Sequence, residues 1–311
     1  MTERTHDHPP PTPEHPGKVV IAGGSGLLGR HLTAALVQAG HQVVVLSRSP
    51  GRGAAAGARV VGWQADAPGP WQAELEGAQA VVNLCGAGIG DARWTAARKR
   101  QLMDSRVAPS TALAAACAAL STPPPVLLQA SGVGYYGTGE DAVDEDSPPG
   151  HDFLARLAIA WEAPLATAHT RTVALRFGVV LDASDGALPR MLLPFRMFAG
   201  GPVAGGRQWL SWVHVDDAVA AMRFVLRTPL AGAINVTAPN PVRNAEFAAA
   251  AGRALRRPAR LPLPGFVLRA ALGEQATLVC DGQRALPARL LAAGFSFRYP
   301  TIDAALESVC R

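Results

Sequence analysis

Residues 18–29 read KVVIAGGSGLLG, a short apolar segment that runs directly into spaced glycines. The apolar residues 19–22 are typical of a strand buried on both faces of a parallel sheet, and residues 27–39 have the apolar spacing of a helix. Glycines at such a junction permit a tight turn and let a phosphate group approach the backbone N–H groups at the helix start. The stretch therefore predicts a strand–turn–helix unit that binds a dinucleotide, with an ordinary turn as the alternative.

The glycines of this turn are spaced Gly23-x-x-Gly26-x-x-Gly29, which differs from the G-x-G-x-x-G of common dehydrogenases. We expect the whole turn to belong to the cofactor site, which gives the candidate residues Gly23, Gly24, Ser25, Gly26, Leu27, Leu28 and Gly29.

The end of the second expected strand indicates which dinucleotide is bound. NAD sites usually place an acidic residue there for the ribose 2′-hydroxyl, but the sequence has no Asp or Glu between Glu14 and Asp66. The strand instead continues into Ser47, Arg48 and Ser49, and further arginines stand nearby at positions 30 and 52. Guanidinium and hydroxyl groups suit a 2′-phosphate, so NADP(H) is favoured, with solvated arginines as the alternative.

Strands and helices alternate along most of the chain. We expect strands at residues 19–22, 42–46, 59–62, 80–84, 126–130, 173–177 and 233–236. We expect helices at residues 27–39, 92–106, 108–120, 152–168, 216–226 and 244–255. This alternation predicts an α/β fold with a Rossmann-type, doubly wound parallel sheet.

The breaks in this pattern suggest how the chain is divided. We expect a disordered tail at residues 1–17 and an NAD(P)-binding domain at residues 18–180, with its sheet completed by about residues 211–240. Residues 181–210 and 241–311 interrupt the alternation and are expected to form a smaller substrate or cap region.

Composition excludes several classes of protein. Of 311 residues, 49% are hydrophobic and 17% are charged, which excludes disorder over most of the length. The net charge of +5 forms no polybasic run, and no apolar run is long enough to cross a bilayer, so neither nucleic acid nor a membrane is an expected partner. The four cysteines are far apart, and we expect reduced thiols, no metal site and a cytoplasmic protein.

Several separated stretches are similar to the extended short-chain dehydrogenase/reductase superfamily. They are residues 23–29, Asn83-Leu84-Cys85-Gly86, Ser131 followed by Tyr135-Tyr136-Gly137, residues 175–181 and residues 212–217. Others resemble one branch, the epimerase-like oxidoreductases with their own carboxy-terminal domain. These are Arg93-Trp94-Thr95, Asp104-Ser105-Arg106, Ala160-Trp161-Glu162 and residues 134–137, 205–209, 238–242 and 286–300. The resemblance covers roughly residues 18–310.

This resemblance implies roles for particular residues. The diphosphate would be contacted by Gly23, Ser25, Gly26, Leu27 and Leu28, and the adenosine ribose by Ser47 and Arg48. Further along the cofactor the expected contacts are Cys85, Gly86 and Ala87, and Ser131 would lie near the nicotinamide.

The superfamily's catalytic pair, a tyrosine and a lysine in Tyr-x-x-x-Lys, is absent. The helix where it belongs has Phe153 and Leu157 roughly at those places, and neither Lys18 nor Lys99 follows a tyrosine by four residues. The remaining catalytic candidates are Ser131, Tyr135 and Tyr136. A tyrosine near its ordinary pKa would need a neighbouring cation, for which Arg176 is the candidate. We include Arg176 among the expected cofactor contacts, and a packed aromatic wall is the alternative for both tyrosines.

Two acidic groups receive simpler interpretations. Asp216 and Asp217 precede an expected helix, so we predict that they cap it. The acidic residues between 140 and 146 are expected to form a solvated loop.

Together these features predict an NADP(H)-dependent oxidoreductase or epimerase-like enzyme that acts on a small carbonyl or nucleotide-sugar-like substrate. The alternative is an NADP(H)-binding sensor or regulatory protein with little turnover, which the missing Tyr-x-x-x-Lys pair favours. The sequence predicts neither the substrate, nor the direction of the reaction, nor the oligomeric state.

Overall fold

The structure, a computed structural model, describes residues 15–49 and 57–310. Seven strands form the main sheet: β1 (Lys18–Ala22), β2 (Gln42–Ser47), β3 (Arg59–Gly62), β4 (Ala80–Asn83), β5 (Val126–Gly132), β7 (Arg171–Phe177) and β11 (Gly232–Val236). Six short strands form three separate pairs: β6 (Ala142–Val143), β8 (Val179–Leu181), β9 (Trp209–Leu210), β10 (Trp212–His214), β12 (Val242–Arg243) and β13 (Arg284–Ala285).

Neighbouring strands of the main sheet all run parallel, in the order β11-β7-β5-β4-β1-β2-β3. The chain adds β2 and β3 on one side of β1 and then returns to add β4, β5, β7 and β11 on the other. The order therefore reverses between β1 and β4, and the loops that leave these two strands diverge and open a crevice at the carboxyl edge. The predicted Rossmann-type α/β fold is confirmed, and every predicted strand end lies within two residues of the observed one.

The helices of the described residues are α1 (Leu27–Gln38), α2 (Ala96–Ala119), α3 (Phe153–Glu162), α4 (Leu188–Arg196), α5 (Val215–Leu226), α6 (Asn244–Leu255), α7 (Gly265–Leu272), α8 (Thr277–Cys280), α9 (Ala288–Ala292) and α10 (Ile302–Val309). Single 3-10 turns occur at Pro70–Glu74, Val133–Tyr136, Ala163–Thr167, Ala204–Gly206 and Gly273–Ala276. Among all these residues we find no helix with the length and hydrophobicity needed to span a bilayer.

Two predicted helix boundaries are wrong. Separate helices were expected over residues 92–106 and 108–120, but α2 spans both and contains Pro109. It stays continuous because residues on both sides of the proline, such as Leu102 and Leu113, are fully buried. The helix expected over residues 152–168 ends at Glu162, since Pro164 has no N–H group to continue it and starts a 3-10 turn instead.

Alternate residues of β1 enter two cores on opposite faces of the sheet. Val19 and Ile21 belong to the core covered by α1 and α5, whereas Val20 and Ala22 belong to the core covered by α2. A third core lies among α4, α6 and α10 around the fully buried Trp212. The first two cores fix the strand ends that form the crevice.

The turn before α5 differs from the prediction that Asp216 and Asp217 cap this helix. The cap is His214, whose Nδ1 accepts a 3.1 Å hydrogen bond from the Asp216 N–H. Asp217 is buried and accepts the backbone N–H groups of Arg298 and Tyr299, at 2.8 and 2.9 Å. This carboxylate therefore fastens the carboxy-terminal segment to α5.

Candidate functional site

Two adjoining cavities lie in the crevice at the carboxyl edge of the sheet. The outer cleft, about 1200 Å³, includes Ser25, Ser47, Arg48, Ser49 and Asp66 among its lining residues. The inner cavity, about 530 Å³, includes Leu28, Arg106, Ser131, Trp161 and Gln283. Both are lined by Gly23, Gly26, Cys85, Gly86 and Ala87, so one extended ligand can occupy the two together.

The glycine turn has the shape of a phosphate cradle. Gly23 has a φ of +81°, and a Cβ atom on Gly29 would lie 2.3 Å from the Gly23 carbonyl oxygen. A Cβ atom on Gly24 would meet the side chain of Val45 at 2.7 Å. Gly26 differs, because its Cβ position has no described neighbour closer than 3.5 Å. Three glycines are thus required by packing, while Gly26 leaves open space beside the uncapped N–H groups that begin α1.

Arg48 lines the outer cleft and is not among the described residues that line the inner cavity. It is exposed, and the described residues offer it no hydrogen bond or ion pair. Arg30 does not share this position, since it binds Asp185 and the Ser25 carbonyl oxygen, each at 2.7 Å. Arg52 lies outside the described residues. The sequence interpretation missed Asp66, which lines the same cleft just beyond β3 and was visible only as the first acidic residue after Glu14.

The loop after β4 is held from behind by buried amides. The Asn83 side chain accepts the Cys85 N–H at 3.1 Å and donates to Gln129 at 2.8 Å. The Ala87 N–H donates to the Ser105 hydroxyl at 3.0 Å. Burial raises the pKa of the Cys85 thiol to about 12, so this side chain is a neutral thiol at physiological pH. The loop therefore presents a fixed, uncharged edge to both cavities.

Ser131 lies near the end of β5 at the wall of the inner cavity and is bonded to an ion pair whose arginine is buried. Its hydroxyl lies 2.6 Å from Glu162 Oε1. Arg176 donates to both oxygens of the same carboxylate, from Nε at 2.9 Å and from Nη2 at 2.8 Å. A carboxylate oxygen that accepts from a guanidinium also accepts from the serine, so the serine hydroxyl is the donor. Burial disfavours the Arg176 charge, but its bonds to Glu162 outweigh burial and raise its pKa.

The structure places Arg176 beside Tyr135 and Tyr136. It does not bring these three side chains to the site, because none of them is among the described residues that line either cavity. The guanidinium lies 3.3 Å from the centre of the Tyr135 ring and donates to the Tyr136 hydroxyl at 3.0 Å. Tyr136 donates in turn to Asn235 at 2.7 Å. Burial raises the pKa of Tyr136 to about 12, although Arg176 opposes this shift. The expected cation is therefore present, yet it does not activate the phenol.

Apolar residues occupy the place of the missing catalytic pair. Phe153 is buried against Trp94, with ring centres 5.0 Å apart, and Leu157 lines the inner cavity. This wall is apolar where the wider superfamily has an acid–base pair.

Other lining residues were not among the candidate site residues of the sequence interpretation. Arg106 and Trp161 lie within stretches that carried the family resemblance, but pattern alone gave them no function. Trp209 and Gln283 bring the carboxy-terminal region to the inner cavity, and Arg243 lies 3.8 Å from the Trp209 ring centre.

The acidic loop is not wholly solvated as expected. Glu145 is buried, and its carboxylate accepts the backbone N–H groups of Asn235, at 2.9 Å, and of Arg289. Its role is to join the loop to β11 and to the carboxy-terminal region. Within the part of the chain that the structure describes, no three His, Cys, Asp or Glu side chains are grouped so that they could hold a metal ion.

The glycine turn, the order reversal beside it and the two-part crevice define a dinucleotide-binding α/β protein. Residues 19–237 match the sequence model of the NAD dependent epimerase/dehydratase family, and residues 263–309 match a domain of unknown function, DUF1731. The chain belongs to the NAD dependent epimerase/dehydratase family, and the resemblance to epimerase-like proteins of the extended short-chain dehydrogenase/reductase type is confirmed.

The relatives and solved structures described next are similar to this chain over nearly its whole length. The chloroplastic SDR39U1 homologue of Arabidopsis thaliana, an epimerase family protein, is 40% identical over 304 residues, which are 94% of this chain and 86% of the relative. The crystal structure of human epimerase family protein SDR39U1 with NADPH is 35% identical, covers 94% of this chain and 99% of its own, and has a TM-score of 0.85. UDP-glucuronic acid 4-epimerase from Bacillus cereus, in complex with UDP-glucuronic acid and NAD, is 16% identical over 94% of this chain and 98% of its own. Its TM-score of 0.75 shows the shared fold alone.

Proposed function

We propose that this chain is an NADP(H)-dependent oxidoreductase or epimerase that acts on a small carbonyl or nucleotide-sugar-like substrate. The observation that carries the proposal is the pair of adjoining cavities that runs from Arg48, along the glycine turn, to Ser131. A bound nicotinamide coenzyme would supply the hydride chemistry. The relative solved with NADPH supports this choice of coenzyme.

The chain's own groups fit that coenzyme from end to end. The open side of Gly26 and the N–H groups of α1 suit a diphosphate, and Arg48 with Ser47 and Ser49 suits a 2′-phosphate. Asp66 lines the same cleft and could instead serve a ribose hydroxyl. The relative affinities of NADP⁺ and NAD⁺ therefore test the cofactor assignment directly.

Ser131 is the side chain proposed to contact the substrate. Its proton is directed at Glu162, so its oxygen is free to accept a hydrogen bond from a substrate hydroxyl, and to serve a carbonyl it must first release Glu162. Glu162 and Arg176 are positioning residues behind it. We assign Tyr135 and Tyr136 the same indirect role, through Arg176, rather than proton transfer.

We also propose that residues 18–180, completed by about residues 211–240, bind the nucleotide, while the remaining carboxy-terminal residues close the substrate side. The lining residues Trp209, Asp281 and Gln283 support this division. The four cysteines are free, which supports the proposed cytoplasmic location.

The test mixes purified protein with NADPH and a panel of aldehydes, ketones and nucleotide sugars while the absorbance of the reduced nicotinamide is followed. We expect consumption with at least one carbonyl compound and its loss in Ser131→Ala. The matched control is Ser308→Ala on α10, because the Ser308 hydroxyl contacts Tyr299 and Ser308 is not among the described residues that line either cavity. A wild-type protein that binds neither NADPH nor NADH would refute the proposal.

A sensor or regulatory protein is the second candidate. The apolar Leu157 at the place of the lysine and the raised pKa of Tyr136 favour it, because neither group moves a proton at neutral pH. Tight NADPH binding without consumption across the panel would support this alternative over the enzyme.

A further inference from the structure

Exposed apolar side chains are concentrated where the end of α4 meets the segment that leads into α7. Of the nine large hydrophobic residues that are exposed in the described part of the chain, seven belong to these two segments. They are Leu193, Met197, Phe198, Leu261, Leu263, Phe266 and Val267. Met197 and Phe266 have exposed fractions of 69% and 75%. Scattered single exposed residues are ordinary, but such a concentration marks a surface that contacts something else.

Backbone hydrogen bonds hold the two segments side by side. The Leu261 N–H donates to the Gly200 carbonyl at 3.1 Å, and the Ala204 N–H donates to the Leu263 carbonyl at 2.9 Å. None of the seven exposed apolar residues is among the described residues that line either cavity. The two segments therefore form one surface that is separate from the coenzyme site.

Helix α7 continues this surface with an unpartnered apolar face. None of its residues is buried. The exposed positions include Phe266, Val267, Ala270 and Ala271, which share one face of a helix because they are one, four and five residues apart. The side of α7 that faces away from the protein is therefore apolar.

Arginines without a counter-charge frame the apolar side chains. They are Arg196, Arg256, Arg257 and Arg260, all exposed. Within residues 15–49 and 57–310 no carboxylate forms an ion pair with any of them, whereas Arg253 on the neighbouring α6 pairs with Asp303. The Arg257 guanidinium lies 4.1 Å from the centre of the Phe198 ring, so charge and apolar surface are in direct contact. We call these four arginines and the seven apolar residues the apolar-basic surface.

The composition of the two segments favours one kind of partner. Residues 191–204 and 254–268 contain apolar residues, glycine, proline and arginine, but no acidic, hydroxyl or amide side chain. Interfaces between proteins usually include many hydrogen bonds, and a second copy of this chain would bring two sets of unpaired arginines together. The boundary between lipid headgroups and acyl chains needs only apolar side chains and cations.

We propose that the apolar-basic surface docks on an anionic lipid surface. The phenyl and aliphatic side chains enter the headgroup region, and the arginines pair with lipid phosphates. This inference goes beyond the proposed function and does not depend on the coenzyme. The sequence-based expectation of no membrane partner considered spanning segments and continuous basic runs. The apolar-basic surface is neither, because folding assembles it from two separated segments.

Co-sedimentation of the full chain with vesicles tests the proposal. One set of vesicles is phosphatidylcholine alone, and the other contains equal parts of phosphatidylcholine and phosphatidylglycerol. We expect binding to the mixed vesicles only, and weaker binding as the salt concentration rises. Phe266→Ser should weaken the binding by about tenfold or more through lost apolar burial. Arg257→Gln should weaken it by about fivefold, as expected for one cation at an anionic membrane.

Two matched controls change the same residue types elsewhere on the surface. Leu291→Ser removes an exposed leucine of α9, and Arg156→Gln removes an exposed arginine of α3. Both should bind the mixed vesicles as wild type does. Circular dichroism checks that each variant is folded, which we expect because all four side chains are exposed.

Several results would overturn the proposal. They are no binding of wild type to the mixed vesicles, equal binding to vesicles of phosphatidylcholine alone, or unchanged binding in Phe266→Ser. A dimer in lipid-free sedimentation equilibrium that Phe266→Ser dissociates would assign the surface to a second copy of the chain. Binding of poly-L-glutamate without binding of vesicles would assign it to an acidic protein.

Discussion

The Ser131 hydroxyl donates a 2.6 Å hydrogen bond to Glu162, whose two oxygens also hold Arg176. Ser131 faces the inner cavity, whereas the described lining of that cavity includes neither member of the ion pair. The Ser131 hydroxyl is the group proposed to contact the substrate, and its orientation depends on the ion pair of Glu162 and Arg176 behind it.

Glu162→Gln should destabilise the protein by about 3 kcal/mol. It leaves the Arg176 guanidinium, whose side chain is 5% exposed, without an opposite charge. Urea denaturation measures the free energy of unfolding. Any NADPH consumption that depends on Ser131 should fall at the same time, because the serine loses its carboxylate acceptor.

The double variant Glu162→Gln/Arg176→Met is the control for this pair. Because neither charge is then left alone, we expect it to lose clearly less stability than the two single variants summed. Strictly additive losses would show that the ion pair contributes no coupling.

Arg48→Ala should weaken NADPH binding by about tenfold to a hundredfold, as expected for the loss of a charge-assisted hydrogen bond to phosphate. NADH binding should change little, since that coenzyme lacks the 2′-phosphate. Arg30→Ala is the matched control, because Arg30 is occupied by Asp185. Fluorescence titration gives the dissociation constants, and an equal loss for both coenzymes would contradict the assignment.

Gly26→Ala should reduce NADPH binding, whereas Gly29→Ala should reduce the stability of the fold. Gly26 has a φ of −74° and open space at its Cβ position, so alanine there should change the unfolding free energy by less than about 1 kcal/mol yet weaken NADPH binding strongly. A Cβ atom on Gly29 would lie 2.3 Å from the Gly23 carbonyl oxygen, which should cost about 2 kcal/mol or more of stability. Unfolding curves and calorimetry separate the two effects. Unchanged NADPH affinity in Gly26→Ala would contradict a diphosphate at this turn.

Asp217 should give the protein a pH dependence of known sign. Burial raises the pKa of its carboxyl group, so the folded state retains a proton that the unfolded state has released. Stability is therefore lost as pH rises from the ordinary value through the raised one. The stability of wild type relative to Asp217→Asn should be highest near about pH 3 and decrease toward about pH 7, measured by urea unfolding. A stability of wild type relative to Asp217→Asn that increases as the pH rises would contradict the raised pKa of Asp217.

The fold could be predicted because local signals and tertiary structure agree. A strand buried on both faces needs a continuous apolar run, and β1 and β2 each have one. The errors occur where packing decides instead. Pro109 remains inside α2 because its neighbours are buried. Asp217 does not cap its own helix but accepts hydrogen bonds from Arg298 and Tyr299, which lie 81 and 82 positions further along the chain.

The candidate site was less accessible to prediction because its partners are distant in sequence. The glycine turn and Arg48 could each be recognised from a short stretch of sequence, and the structure brings both to the crevice. No local pattern shows that Ser131 meets Glu162 31 positions away, or that Arg106 Nε has no acceptor among the described residues. Tyr135 and Tyr136 followed the serine closely enough to suggest catalysis, but the backbone turns both side chains toward Arg176.

The walls of the inner cavity are far apart in the order of synthesis. Gly23 leaves the ribosome before Asp281 and Gln283, which lie 258 and 260 residues further along the chain. A nascent chain can assemble its nucleotide cradle well before the opposite wall exists. A chain cut between residue 240 and Asp281 would lack Asp281 and Gln283, so the inner cavity would be open to water on that side.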